Sequence, residues 1–296
     1  MKIGNEVYCS SCRKRLAVYK RIVSGEKLCR YCLYNSVVKQ VRKAIHYYKM
    51  VRKNGFAIYI LRPERILSSI EGLYILISAI KDFNVALHVL CIYDFIDCET
   101  LSKSFPSVTF INIRVGDKEF KSIQLIELIK FYEAVAIKIA RERFIESILV
   151  PLFRDELSIL LLYGLLMISK SIFSEGMPIR IVDDNISLSR PFYYVTSIDI
   201  IYLSLTDKKI PLKTEEKEDA LYSFVKEREF WRKAKDILIR SPELMYSSSK
   251  TVELLQSYVI GSKATRCKYC GSYSDSDLCE ICSRILGYID AVEYGT

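Results

Sequence analysis

The stretch FAIYILRPERILSSIEGLYIL, residues 56–76, decides the fold. It opens with a β-branched and aromatic run, turns at Arg62-Pro63-Glu64, and continues with apolar residues at helical spacing. Strand, tight turn and amphipathic helix in that order are the unit of nucleotide-binding α/β layers. Such layers place glycines at the turn, because backbone N–H groups must approach a phosphate closely. Between Gly55 and Gly72 this chain has none. Pro63 removes a donor and Glu64 brings negative charge, so the unit is expected to keep the scaffold without the phosphate nest.

The pattern continues outward. Apolar runs rich in Ile and Val at 56–61, 85–93, 108–115, 147–152 and 179–183 alternate with helical patterns at about 65–81, 122–145, 155–173 and 197–205. This alternation implies βαβ units and a Rossmann-like, doubly wound parallel sheet covered on both faces. The α/β domain is assigned to 55–212, with its ligand site at the carboxyl ends of the strands. A helical segment, 213–262, follows; within it the pattern over 214–260 is broken at Ser241-Pro242-Glu243 by a turn and a helix start.

Eight of the ten cysteines form four CxxC pairs. Cys9 and Cys12 are followed after sixteen residues by Cys29 and Cys32; Cys267 and Cys270 are followed after eight by Cys279 and Cys282. Two pairs at such spacing present four thiolates tetrahedrally, the arrangement zinc prefers. An N-terminal zinc finger (1–36) and a C-terminal zinc ribbon (263–296) are expected, with two zinc ions per chain. Gly271 suits the tight turn of a knuckle. A redox CxxC would precede a helix in a thioredoxin-like setting, and neither finger pair is expected to do so. Cys91, inside a strand pattern, is expected to be a small core residue, and Cys98, after Asp97 near a loop, is read as structural too; the alternative, a catalytic thiolate, has no histidine nearby in sequence. With no other cysteine between 98 and 267, an iron–sulfur site in the central domain is not expected.

The net charge of +9 is uneven: residues 1–53 hold 14 Lys+Arg against 2 Asp+Glu. That imbalance points to a polyanion partner for this end. Arg13, Lys14, Arg15, Lys20 and Arg21 lie between the knuckles. Lys39, Arg42 and Lys43 lie on a basic linker helix (37–54), whose apolar residues Val37, Val41, Ala44, Ile45, Tyr48 and Val51 fall at helical spacing. These eight cations are the candidate RNA contacts; the plain alternative is a solvated helix face.

Other chemistries find little footing. Two histidines, His46 and His88, make a Ser-His-Asp hydrolase or a histidine-rich metal enzyme improbable. The longest uncharged apolar run, 157–169, is too short for a bilayer, and no signal peptide is seen; a cytoplasmic protein without membrane contact is expected. Asp155-Glu156 reads as helix capping and Asp183-Asp184-Asn185 as a polar turn.

Four-cysteine finger, basic helix, α/β domain, helical segment and four-cysteine ribbon, in that order, resemble the cytosolic tRNA 2-thiolation family, whose catalytic members are adenine nucleotide alpha hydrolases with a PP-loop. Catalytic members carry SGGxDS after the first strand; here LRPERI, 61–66, stands at that place. Of a later TGHNxDD-like stretch only the acidic pair Asp155-Glu156 remains, in VPLFRDE, 150–156. The RPL-type segment is better kept, as Arg190-Pro191-Phe192, with Asp199 at the following helix start. The family's iron–sulfur cysteines have no counterpart. The resemblance therefore implies a degenerate, noncatalytic, tRNA-binding subunit that pairs with a catalytic PP-loop paralogue, without ATP or an iron–sulfur cluster of its own. Two alternatives stay open: a divergent tRNA sulfurtransferase active on its own, and a zinc-ribbon nucleic-acid adaptor unrelated to thiolation.

Overall fold

The computed structural model describes residues 7–92, 97–114, 124–206, 228–260, 265–289 and 292–294. The charged stretch 214–227, expected to be helical, and the ends of the expected elements at 93, 115 and 122–123 lie outside the described residues.

The first named elements are an antiparallel hairpin, β1 (Tyr19–Lys20) and β2 (Lys27–Leu28), and helix α1 (Arg30–Tyr48). The spacing predicts a helix over 37–53. The helix instead starts inside the second cysteine pair and ends at Lys49, whose left-handed backbone (φ 52°) closes it. Its buried stripe is Leu33, Val37, Val41, Ala44 and Ile45, at the three- and four-residue intervals of one helical face.

The layer follows: β3 (Phe56–Ile60), α2 (Ile66–Ile80), β4 (Ala86–Ile92), α3 (Cys98–Ser104), β5 (Thr109–Arg114), α4 (Leu125–Arg143), β6 (Ser147–Leu149), α5 (Arg154–Leu166), α6 (Lys170–Glu175), β7 (Ile179–Ile181), β8 (Ser187–Ser189) and α7 (Ser197–Thr206). Helices α8 (Arg228–Arg240) and α9 (Pro242–Ile260) flank the expected break at Ser241. The ribbon holds β9 (Thr265–Arg266), β10 (Tyr273–Ser274) and α10 (Cys282–Ile289), and β11 (Glu293–Tyr294) returns to the main sheet. No helix among the described residues is long and apolar enough to cross a membrane.

The sheet order is β11-β5-β4-β3-β6-β8-β7. The five inner strands are parallel, and β3 is buried from Ala57 to Ile60, as both-face coverage requires. Helix α2 packs on α1 and α7, while α4 lies on β3 and β6. This is the expected doubly wound α/β layer, with one correction. The run at 179–183 is an antiparallel edge, because β7 hairpins with β8, a strand the sequence pattern did not reveal. Strand order reverses between β3 and β6, so the crevice for a ligand opens at their carboxyl ends.

Two further expectations change. The helix predicted over 155–173 breaks at Ile168, which is left-handed (φ 52°), and Ser169 caps α6 by accepting from Ile172 N. Gly164 permits the fold-back: a Cβ there would come within 2.4 Å of Phe173 N. Cys91 and Cys98 are not separate core thiols but a disulfide, joining the end of β4 to the start of α3. Their Cα atoms stand 6.1 Å apart, within ordinary disulfide reach.

Candidate functional site

The finger is built by a turn at each pair. Arg13, left-handed at φ 55°, donates its N–H to Cys9 O and closes the first knuckle. Cys29 is the N-cap residue of α1 and Cys32 lies in its first turn. The second finger pair does open a helix, contrary to expectation, but the four sulfurs converge to within 4.8 Å of one another. Cys12 Sγ and Cys29 Sγ are 3.9 Å apart. Zinc–sulfur bonds of about 2.3 Å in a tetrahedron place sulfurs about 3.8 Å apart, so the set fits zinc. Burial opposes ionisation of Cys9, yet backbone N–H groups of Cys12, Cys29 and Ser11 bring its thiol down to about 6. Burial and then Cys29 push Cys32 up to about 12.

Cys267, Cys270, Cys279 and Cys282 converge in the same way and are all buried, with Cys270 Sγ 3.8 Å from Cys279 Sγ. Gly271 is left-handed (φ 71°), and a Cβ there would meet Ile181 O at 2.2 Å, so the knuckle turn and the close seating on β7 both require glycine. Hydrogen bonds from the other three sulfurs hold Cys270 well below the usual thiol range. Lys130 Nζ, fully buried on α4, stands 3.4 Å from Cys270 Sγ and donates to Ser272 Oγ.

Behind Lys130 lies a buried ion network. Arg180 and Arg190 each contact both Glu133 and Glu175; Arg180 Nη2 is 2.6 Å and Arg190 Nη2 2.7 Å from Glu133, and Lys130 pairs with Glu175. Burial alone would raise Glu175, but Arg180, Lys130 and Arg190 bring it down to about 2. Three cations against two carboxylates leave one positive charge, which faces the C-terminal thiolates. Arg190, of the Arg190-Pro191-Phe192 segment, is thus a member of this network.

The N-terminal cations divide. Arg13, Lys14, Arg15, Lys20, Lys39 and Lys43 are exposed. Arg15 stacks on Tyr31, its guanidinium carbon 4.7 Å from the ring centroid, and Lys43 stands over Tyr194 at 5.3 Å. The Cys29 sulfur raises the Arg15 pKa further. Arg21 is a correction: it is buried, 3.2 Å from Asp199 and 3.2 Å from Glu26, and donates to Ser36 Oγ. Tyr19 donates to Asp199 at 2.7 Å, so these residues pin the finger to α7 and give Asp199 its use. Arg42 is half committed, donating to Ala79 O and Ser78 O.

At the switch-point crevice Arg62 leaves β3 and turns inward, 1% exposed. Its Nε is 2.7 Å from Glu64, its Nη1 is 2.8 Å from Glu156, and Nη1 also donates to Pro151 O at 3.0 Å. Arg65 adds a second interaction with Glu156 at 3.5 Å. Burial disfavours the charged form of Glu156, but Arg62 and Arg65 hold its pKa below the usual carboxylate range. Glu156 also accepts from Phe153 N, the capping role expected of it. Asp155 takes both the N–H and the Oγ of Ser197 and pairs with Lys235 at 3.4 Å. Asp183 accepts from Asn185 N and Ile186 N as a turn residue. A cavity of about 300 Å³ remains beside Arg62, Arg65, Glu156, Trp231 and Lys235.

The sequence reading missed Tyr31, Lys130, Glu133 and Glu175. The available signal was charge in an apolar setting: Lys130 stands between Ile129 and Phe131.

A family model for the four-cysteine zinc finger domain of RecR matches residues 264–283, the ribbon. No curated protein matches the chain. Among solved structures, the U34-tRNA thiolase NcsA from Methanococcus maripaludis, determined with its [4Fe-4S] cluster, aligns at a TM-score of 0.67. The alignment covers 95% of this chain and 96% of that one at 14% identity, a likeness of fold.

Proposed function

We propose that this chain is a noncatalytic, cytoplasmic subunit of a tRNA wobble-uridine 2-thiolation complex, which holds tRNA and docks on a catalytic PP-loop paralogue. The observation that carries the reading is Arg62. Where a phosphate loop would offer backbone N–H groups to a nucleotide, Arg62 is buried and bound by Glu64 and Glu156. A phosphate entering there would have to displace a desolvated ion cluster and face two carboxylates, which costs more than water-exposed charges would. The likeness of fold to a tRNA thiolase over nearly the whole chain supports the setting.

The rest of the chain has work compatible with holding RNA. Zinc in the finger would fix the knuckles, and Tyr19, Arg21 and Asp199 hold the finger against the α/β layer. The exposed cations then meet phosphates with little further ordering. Zinc in the ribbon would anchor that module to Lys130. All ten cysteines have a place in the two clusters or the Cys91–Cys98 bond.

The test is thiolation of tRNA in vitro, with ATP and a sulfur donor, by this chain, by a PP-loop paralogue from the same genome, and by the two together. The expected result is no product from this chain alone, and more product, with co-elution, from the pair than from the paralogue. Product from this chain alone would overturn the reading, as would a paralogue indifferent to it.

A further inference from the structure

The finger meets the α/β layer across a groove of about 590 Å³. Its walls carry Arg15, Arg30 and Tyr31 from the finger and α1, and Tyr74 and the buried Glu71 from α2. A second depression of about 410 Å³ continues it along α1, sharing Tyr34 and Asn35 and adding Lys39, Arg42 and Lys81. From Arg30 to Arg42, twelve residues of helix at about 1.5 Å each, the track runs about 18 Å. Cations recur along its length, and Tyr31, 60% exposed, offers a ring face at its finger end.

We infer that this track binds a single-stranded segment of RNA, with one unpaired base stacked on Tyr31 in the space beside Arg15. The inference rests on the RNA-holding role proposed above and names the part of the RNA that is gripped. Three features select a single strand. A duplex presents phosphates but keeps its base faces stacked, so a tyrosine face inside a groove serves only an unpaired base. The Arg15 guanidinium already lies on the Tyr31 ring, so a base arriving there finds a plane and a charge together. Tyr34 is fixed by its hydrogen bond with Ser78 and Tyr74 by its packing on Phe105, so the walls are set before binding. The cations of the track suit the phosphates of the same strand.

The test uses the full-length, zinc-loaded protein and fluorescence anisotropy with three probes: a labelled unstructured single-stranded RNA of about 12 nucleotides, within ordinary single-strand site sizes; a duplex of the same length; and a tRNA transcript. The expected result is that Tyr31→Ala weakens single-strand binding about 5- to 150-fold without changing its salt dependence, Tyr31→Phe retains it, and duplex binding is unmoved. Lys39→Ala should instead flatten the salt dependence by about 0.7 log units. If the wild type binds tRNA but Tyr31→Ala matches it on the single strand, the groove is overturned and the RNA-holding role stands. Equal losses on single strand and duplex would also overturn the groove. A wild-type protein that binds no RNA would overturn both.

Discussion

Lys130 Nζ lies 3.4 Å from Cys270 Sγ, tying helix α4 to the C-terminal cysteine cluster through a fully buried ammonium. The same nitrogen reaches Glu175, so the ribbon's thiolates and the buried ion network share one cation. A buried charge is tolerated only when it is paired, and zinc-bound thiolates supply the negative charge that the network lacks.

Removing that cation should therefore loosen the ribbon first. Lys130→Met is expected to destabilise the protein by about 3 to 5 kcal/mol, the usual cost of breaking a buried pair from one side. Two zinc ions per wild-type chain are expected by elemental analysis. In the variant, a chelator should remove one ion much faster than the other, and Cys267→Ser should abolish that fast phase. Equal release rates from both sites would show that Lys130 does not support the ribbon.

The plug in the crevice should carry stability as well as block phosphate. Glu156→Gln is expected to cost about 3 kcal/mol at pH 7, read by urea unfolding. Because Arg62 and Arg65 depress the folded pKa of Glu156, its contribution is complete above the unfolded value near 4.3 and is lost as pH falls through the lower folded value. The wild type–variant difference should accordingly be flat from pH 7 to about 5 and close below about 4. A difference that widens on acidification would contradict the pairing.

The exposed finger cations should carry affinity without selectivity. Replacing Arg13 and Lys14 with Ala should weaken binding of all tRNAs alike. It should also reduce the salt dependence by about 0.7 to 0.9 log units for each phosphate the variant no longer neutralises. Arg15 is left intact here because it touches Tyr31 and the Cys29 sulfur. Selective loss of one tRNA would mean that these residues read sequence or shape.

Much of this was legible in the chain, and the exceptions share a cause. Phe56–Ile60 and its parallel neighbours announce themselves as apolar runs because both faces of the sheet are covered. The cysteine pairs are legible from spacing, since four ligands leave few alternatives. Ser187–Ser189 is not: nothing in Ser-Leu-Ser favours a strand, and its pairing with β6 and β7 makes it one. The break at Ile168 hides inside an apolar run, because the fold-back depends on tertiary packing at Gly164 rather than on a local breaker. Arg21 and Arg62 look like surface charge in sequence, and only the partners brought by the fold, Asp199 and Glu156, turn them inward. The Cys91–Cys98 bond was obscured in the same way, by a strand end and a helix start that meet only in the folded chain.

The claim that the crevice has exchanged nucleotide for an internal ion cluster is tested most directly by titrating the zinc-loaded wild-type protein with magnesium ATP in a calorimeter. With Arg62 held by Glu64 and Glu156 and no glycine nest, the predicted result is binding no tighter than about 1 mM, roughly −4 kcal/mol. Micromolar binding, abolished by Arg62→Ala, would contradict it and make the chain a nucleotide-using enzyme.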